Sequence, residues 1–165
     1  MNLDGKENPY LMKLIHYTDT PFTFDRKFKY CPNRYITEMT KPNGLWVSVE
    51  GETDWKEWCE RENFRLDCLK TAYEVKLRND AHILHLNTEE KVFELIERYP
   101  YAPIKGTIDW DKISRTYQGI IIAPYQWKAR LASKSRWYYG WDCASGCIWD
   151  MEAIEEVKLI DKVVI

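Results

Sequence analysis

The sequence predicts an α+β domain with six or seven strands and three or four short helices, and three observations favour this class. Segments of alternating apolar and polar residues recur, most clearly at Thr71–Leu77, as in half-buried strands. Residues 119–123 form a continuous apolar run, typical of a strand buried on both faces. Capping residues followed by apolar stripes mark short helices between the strands. Strands and helices do not alternate strictly, which favours α+β over a parallel α/β fold.

The first part of the chain predicts two strands separated by a long loop. Residues 12–17 form the first strand, and residues 44–49, rich in Leu, Trp and Val, form the second. The loop between them contains three prolines and five aromatic residues. Long loops in compact domains are often functional, so we expect an ordered loop that closes over a ligand.

The middle of the chain predicts two helices around a strand pair. Residues 53–57 offer an N-cap and an acidic first turn for a helix that ends near Asn63. Strands follow at Thr71–Leu77 and at residues 81–86, with the turn signal Asn79-Asp80 between them. Thr88 then caps a second helix that ends at Pro100.

The last part predicts the centre and one closing strand of the sheet. A short helix over residues 109–117 leads into the buried strand at 119–123. Residues 147–149 form a further strand, residues 151–154 a turn of helix, and residues 157–165 a final strand.

Length and composition indicate one globular domain over residues 1–165. A length of 165 residues is typical of a single domain with one hydrophobic core, and no repeat or linker divides the chain. No apolar run is long enough to cross a membrane, so we expect no membrane partner. The polar, acidic first eight residues do not resemble a signal peptide, and we expect a cytoplasmic protein.

Cysteine usage and charge exclude two further classes. The five cysteines are odd in number and have no CxxC spacing, so neither a complete disulfide set nor a zinc ribbon is indicated. Cys143 and Cys147 lie four apart, but no second ligand pair is nearby, and we expect no metal. A net charge of −2 excludes a global basic field for nucleic acid.

Aromatic residues are unusually abundant, with eight tryptophans and eleven tyrosines. Either some of them line a cleft, or they fill a small core and its rim. Residues 130–142 interleave three cations with four aromatic side chains. This pattern suits a phosphate-bearing substrate, with cations on phosphate and rings on bases. The alternative is a solvated basic loop whose aromatics anchor it to the core.

Of the three histidines, His16 is the functional candidate because it lies at the exit of the first strand. It could donate a hydrogen bond to a ribose hydroxyl or act as a base. The alternative is a structural histidine bonded to the backbone. We interpret His82 and His85 as structural.

Three segments resemble the strand motifs that line the NAD pocket of the ADP-ribosyltransferase-like superfamily. They are Leu14-Ile15-His16-Tyr17-Thr18, Lys41-Pro42-Asn43-Gly44-Leu45-Trp46-Val47-Ser48 and Ser145-Gly146-Cys147-Ile148-Trp149-Asp150. The resemblance implies two split antiparallel β-sheets with short peripheral helices and NAD bound between the sheets.

The resemblance also implies roles for single residues at an NAD site. His16 would hold the adenosine-side ribose, with Tyr17 and Thr18 beside it. Trp46 stands where the family has a stacking tyrosine and keeps a flat face for nicotinamide, and Ser48 shares its side of the strand. The further NAD contacts implied by the basic aromatic stretch are Arg130, Arg136 and Tyr139.

The third motif departs from the family pattern because Ser145 occupies the position of the family's glutamate. Asp142 is the nearest acid upstream and Asp150 the nearest downstream. We take Asp142 as the acid that stabilises an oxocarbenium-like transition state, and Ser145 as a hydrogen-bond partner of the nicotinamide-side ribose.

The implied activity is transfer of ADP-ribose from NAD, as substrate, to a protein or nucleic-acid acceptor with release of nicotinamide. Such a transferase would fit a toxin, an effector or a phage-encoded modifier. A nucleotide or single-stranded nucleic-acid binding domain without catalysis, and a protein-interaction module, stay open as alternatives. Only an enzyme releases nicotinamide, and only a nucleic-acid binder loses affinity steeply with salt.

Overall fold

A computed structural model describes residues 8–33, 41–51 and 53–160, and these form a mixed α+β structure. Its seven strands are β1 Leu14–Thr18, β2 Leu45–Val49, β3 Thr71–Leu77, β4 Ile83–Leu86, β5 Gly119–Ile122, β6 Ser145–Ile148 and β7 Ile154–Ile160. Its α-helices are α1 Trp55–Glu62, α2 Glu89–Arg98, α3 Trp110–Ser114 and α4 Trp127–Leu131. Short 3₁₀ helices occupy Pro9–Leu11, Leu66–Leu69, Ser133–Tyr138 and Met151–Ala153. The predicted α+β class is confirmed.

Hydrogen bonds join all seven strands in the order β4-β5-β6-β2-β1-β3-β7. All pairs are antiparallel except β4 and β5, which are parallel. A parallel pair needs a crossover, and α2 and α3 lie in the connection that supplies it. The expectation of two separate antiparallel sheets is therefore corrected to one mixed sheet.

The sheet nevertheless opens between β1 and β2. These strands pair only at Leu14 with Val49 and at Ile15 with Ser48. On its other side β1 pairs with β3 along its whole length, and β2 pairs with β6 from Leu45 to Ser48. Each strand thus follows its outer neighbour, and the two halves of the sheet separate beyond Ile15.

The centre of the core is β5 and β6, as the apolar run predicted for β5. All residues of both strands are buried. Gly146 allows the two strands to approach, because a Cβ there would lie 2.7 Å from the Ile120 carbonyl oxygen. The strand pair therefore has no room for a side chain at this position.

Capping side chains set the helix starts close to where the sequence placed them. The Asp54 carboxylate accepts the Glu57 amide and begins α1, and Asn63 ends it in the left-handed region at φ 50°. Thr88 accepts the Lys91 amide and begins α2. The predicted helix at 151–154 is a 3₁₀ turn.

The basic aromatic stretch forms helices where the sequence analysis expected a loop. It contains the end of α4 and the 3₁₀ helix Ser133–Tyr138. Trp137, Tyr138 and Trp141 are buried beneath it, so the anchoring part of the alternative interpretation is confirmed. The helices are short, and α4 has no side-chain cap, which leaves little local signal.

Two predicted segments extend beyond the described residues. In the loop after β1, Phe22, Phe24 and Tyr30 pack against the core, but residues 34–40 lie outside the described part. The final strand begins at Ile154 instead of 157, and residues 161–165 also lie outside it. Among the described helices, none has the length and apolar character needed to span a membrane.

Candidate functional site

A cavity of about 250 Å³ lies where β1 and β2 separate. All three motif segments contribute to its walls, together with the start of α1. The lining residues are Ile15, His16, Tyr17, Lys41, Trp46, Val47, Ser48, Trp55, Trp141, Asp142, Cys143 and Ser145. The opening in the sheet therefore brings residues distant in sequence around one space.

His16 bridges the two strands at the point where their backbones no longer pair. Its Nδ1 lies 2.7 Å from the Trp46 carbonyl oxygen. A carbonyl only accepts, so Nδ1 carries the hydrogen, and in the neutral ring Nε2 is an acceptor. Burial lowers the pKa of His16, although the bond to Trp46 opposes this shift, so the neutral ring is favoured. The hydrogen bond to the backbone that the structural alternative expected is present, and the functional role of His16 stays a prediction. A ligand hydroxyl would donate to Nε2 and would not accept from it.

Indole rings form much of the cavity wall. The rings of Trp46 and Trp141 meet edge to face, with centroids 4.9 Å apart. Trp55 contributes from α1 and stacks on Trp58 at 5.2 Å, with an interplanar angle of 12°. These contacts hold rigid, flat surfaces around a space suited to an aromatic ligand.

Two serines add polar groups to the floor of the cavity. Ser48 and Ser145 are buried and face each other across the β2–β6 pair. The Ser48 hydroxyl oxygen accepts the Trp55 amide at 2.9 Å, and the Ser145 hydroxyl donates to the Cys143 carbonyl at 3.1 Å. Each hydroxyl keeps hydrogen-bonding capacity for a ligand.

Among the described residues, one carboxylate and one ammonium line the cavity. Asp142 is held by Arg130, whose Nη2 lies 3.3 Å from its Oδ1. The Lys41 Nζ lies 5.4 Å from the centroid of the Trp46 ring. Lys41 is exposed as a residue, yet partial burial of its ammonium lowers its pKa, an effect that the charge of Asp142 opposes. The cavity thus offers both signs of charge at its rim.

Of the two candidate acids, only Asp142 lines the cavity. Asp150 caps the 3₁₀ helix Met151–Ala153 by accepting the Glu152 amide at 3.1 Å. Its other oxygen lies 3.4 Å from the Lys29 ammonium. Asp150 therefore has a structural role at the end of β6.

Four residues implied as NAD contacts do not line the cavity. The Thr18 hydroxyl is engaged with Thr20. Arg130 reaches the cavity only through Asp142. Arg136 and Tyr139 are exposed on and just after the 3₁₀ helix Ser133–Tyr138, and the Arg130 guanidinium lies 5.1 Å from the Tyr139 ring centroid.

Apart from the aliphatic Ile15 and Val47, four lining residues had no individual role predicted from the sequence: Lys41, Trp55, Trp141 and Cys143. Lys41 belongs to the second motif, and Trp141 and Cys143 flank Asp142, so their positions carried a signal. Trp55 carried none because its place depends on how α1 packs. Burial raises the pKa of the Cys143 thiol to about 12 and that of the Tyr17 hydroxyl to about 12, so both are neutral.

One group of potential metal ligands lies elsewhere among the described residues. Ligand atoms of Asp19, Asp67 and Cys68 lie within 4.8 Å of one another. An Arg65 guanidinium nitrogen 3.9 Å from Asp19 already supplies a positive charge there. The two carboxylates are exposed, and such groups are common without a metal.

Comparisons with protein-family models, curated proteins and solved structures give no match.

Proposed function

We propose that the chain binds NAD at the cavity and transfers ADP-ribose to a macromolecular acceptor, with release of nicotinamide. The observation that carries the proposal is the opening between β1 and β2. It gathers side chains of all three motif segments around one cavity, which supports a shared ligand site for these segments.

The size of the cavity suits one end of NAD. About 250 Å³ is below the ~300–1,000 Å³ of typical ligand pockets. Nicotinamide and its ribose would enter, the adenosine-side ribose would lie against the His16 wall of the cavity, and the rest of the dinucleotide would lie along the surface. Trp46 offers a flat face to nicotinamide, and the Lys41 ammonium beside it can neutralise a phosphate charge.

The polar groups match the hydroxyls of the two riboses. His16 Nε2 accepts from an adenosine-side ribose hydroxyl, since Nδ1 is engaged with Trp46. Ser145 accepts from the nicotinamide-side ribose, because its own hydrogen is donated to Cys143. The Ser48 hydroxyl hydrogen is available to the carboxamide of nicotinamide.

Asp142 is the group suited to the chemical step. The bond between nicotinamide nitrogen and ribose C1′ breaks, and its electron pair leaves with nicotinamide. The positive charge that develops at C1′ is stabilised by a carboxylate that is already in place. Arg130 holds that carboxylate from the other side at 3.3 Å.

A second candidate is nucleotide binding without catalysis. It is favoured by Ser145, which supplies no carboxylate on β6, and by the ion pair that offsets the charge of Asp142. The two candidates share a ligand site and differ only in turnover.

The test combines NAD binding by calorimetry with nicotinamide release, for the wild type and for Asp142→Asn. We expect Asp142→Asn to bind NAD like the wild type and to release nicotinamide about 10²- to 10³-fold more slowly, the range for loss of one preorganised electrostatic group. Asp150→Asn is the matched control because it makes the same change outside the cavity, and it should keep the wild-type rate.

The outcomes separate the two candidates. Wild-type binding without release supports the non-catalytic site. A wild type that does not bind NAD overturns both the transferase and the NAD site.

A further inference from the structure

The segment from residue 127 to 141 is strongly basic in a chain of net charge −2. It contains Lys128, Arg130, Lys134 and Arg136 and no acidic residue. Among the described residues, only Arg130 of these four forms an ion pair, and its partner is Asp142. The exposed surface of this segment is here called the 127–139 surface. The segment itself carries an excess of positive charge, while α2, which packs against it, carries both signs, with Glu89, Glu90, Glu94 and Glu97 beside Lys91 and Arg98 in its sequence.

The same surface exposes large apolar side chains. Trp127 is 49% exposed, Leu131 78% and Tyr139 54%. Single exposed apolar side chains are common, as at Phe28, but three on one short segment form a group that favours a contact surface. Buried Trp137, Tyr138 and Trp141 anchor the segment from below.

The 127–139 surface is continuous with the cavity. Trp127, Arg130 and Leu131 are neighbours on α4, at spacings of three and four residues. The Arg130 guanidinium lies 5.1 Å from the Tyr139 ring centroid and 3.3 Å from the Asp142 carboxylate. Trp141, which ends the segment, is itself a wall of the cavity. A chain bound to this surface would thus reach the rim of the site.

We propose that the 127–139 surface binds the acceptor of the transferase and that this acceptor is a single-stranded nucleic acid. The inference rests on the proposed function. Phosphates contact Lys128, Lys134 and Arg136, and unpaired bases stack on Trp127 and Tyr139. An acidic protein segment would contact the cations but has no repeated flat groups to stack on the two exposed rings. In a duplex the faces of the bases are already stacked on each other and do not reach the rings.

The transfer step is balanced without a further reactant. A lone pair on an oxygen or nitrogen of the nucleic acid forms the bond to ribose C1′. The bond from C1′ to nicotinamide breaks, and its electron pair leaves with neutral nicotinamide. The proton of the acceptor atom passes to water.

The first test measures binding of fluorescein-labelled oligothymidylate and oligouridylate by anisotropy over a series of salt concentrations, without NAD. We expect an association constant whose logarithm falls linearly with the logarithm of salt concentration. In the variant with Lys128→Gln and Lys134→Gln, this slope should shrink by about 0.7 for each phosphate that the protein no longer neutralises. A variant with Lys27→Gln and Lys70→Gln removes the same charge outside the surface and should keep the wild-type slope. An unchanged slope in the Lys128 and Lys134 variant would overturn the phosphate-binding role.

The second test concerns stacking. Trp127→Ala should weaken oligonucleotide binding about 5- to 150-fold, the range for one base-stacking ring. Trp127→Phe keeps a flat ring and should keep most of the affinity. Phe28→Ala is the control, because Phe28 is also 49% exposed but lies outside the surface. An equal loss with Phe28→Ala, or no loss with Trp127→Ala, overturns the stacking role.

The third test follows labelled ADP-ribose from NAD into nucleic acid or protein in a cell extract treated with nuclease or protease. Nuclease-sensitive label that falls in the lysine and Trp127 variants, while NAD affinity stays at the wild-type value, supports the proposal. Protease-sensitive label overturns it in favour of an acidic protein acceptor. Absence of NAD binding would instead overturn the proposed function, which the oligonucleotide titrations do not test.

Discussion

His16 and His85 form a natural pair for testing the site. Each lies on a strand and makes a ring-nitrogen hydrogen bond to a backbone carbonyl, at 2.7 Å to Trp46 and 2.9 Å to Ala123. Both histidines are described by the structure, and of the two only His16 lines the cavity. We therefore expect His16→Ala to weaken NAD binding, and His85→Ala to leave it unchanged.

The magnitude follows from the hydrogen bond that the ligand would lose. Without Nε2, a ribose hydroxyl in the cavity has no partner, and a buried unpaired polar group costs about 1–3 kcal/mol. This corresponds to an affinity about 5- to 150-fold lower. Both variants also remove one hydrogen bond to a backbone carbonyl, so both should be destabilised to a similar degree. A loss of about 0.5–1.5 kcal/mol lowers Tm by about 1–6 °C in a chain of this size.

The assay is calorimetric titration with NAD, with Tm measured for each protein to confirm folding. A wild-type dissociation constant in His16→Ala would remove His16 from the NAD site. An equal loss of affinity in His85→Ala would show that lower stability, and not the missing acceptor, explains the effect.

The remaining predictions concern stability. Ser48→Ala leaves the Trp55 amide unpaired, so it should lower the free energy of unfolding by about 1–3 kcal/mol. Ser145→Ala should lower it by less, because the Cys143 carbonyl that loses its partner has a second lone pair. Equal losses for the two variants in urea unfolding would contradict this. The lowered pKa of His16 means that, below its ordinary value of 6.5, the unfolded chain binds more protons than the folded one. The contribution of His16 to stability is therefore present above pH 6.5 and lost as the pH falls below it, with a slope of at most about 1.4 kcal/mol per pH unit. In His16→Gln this titrating group is absent, so the free energy of unfolding should fall less below pH 6.5 than it does in the wild type. Urea unfolding above and below pH 6.5 measures this difference, and parallel curves of unfolding free energy against pH for the two proteins would refute it.

Local patterns predicted the elements whose structure depends on neighbouring residues. The alternation of β3, the apolar run of β5 and the Thr88 cap of α2 each act within a few residues, so their positions were predicted correctly. The helices between residues 127 and 138 were missed for the opposite reason. They are held by buried Trp137 and Tyr138, and this packing has no local signature.

The candidate site was predictable where it depends on strand ends. His16, Trp46 and Ser48 lie on β1 and β2, and their resemblance to strand motifs placed them together before the structure did. Arg136 and Tyr139 were assigned to NAD from composition alone, and composition does not specify which side of a segment faces a cavity. Trp55 lies at the site because α1 packs there, where the Trp55 backbone amide donates a hydrogen bond to the Ser48 hydroxyl oxygen.

The sequence by itself determined the identities of the strands, the caps of the longer helices and the local excess of positive charge, because each follows from residues close together in the chain. Only the tertiary structure decided that one sheet contains all seven strands and that β1 parts from β2 after Ile15. The physical reason is that β3 and β6, distant in sequence, hydrogen-bond to the outer edges of β1 and β2. The cavity exists because those two pairings are complete while the pairing between β1 and β2 is not.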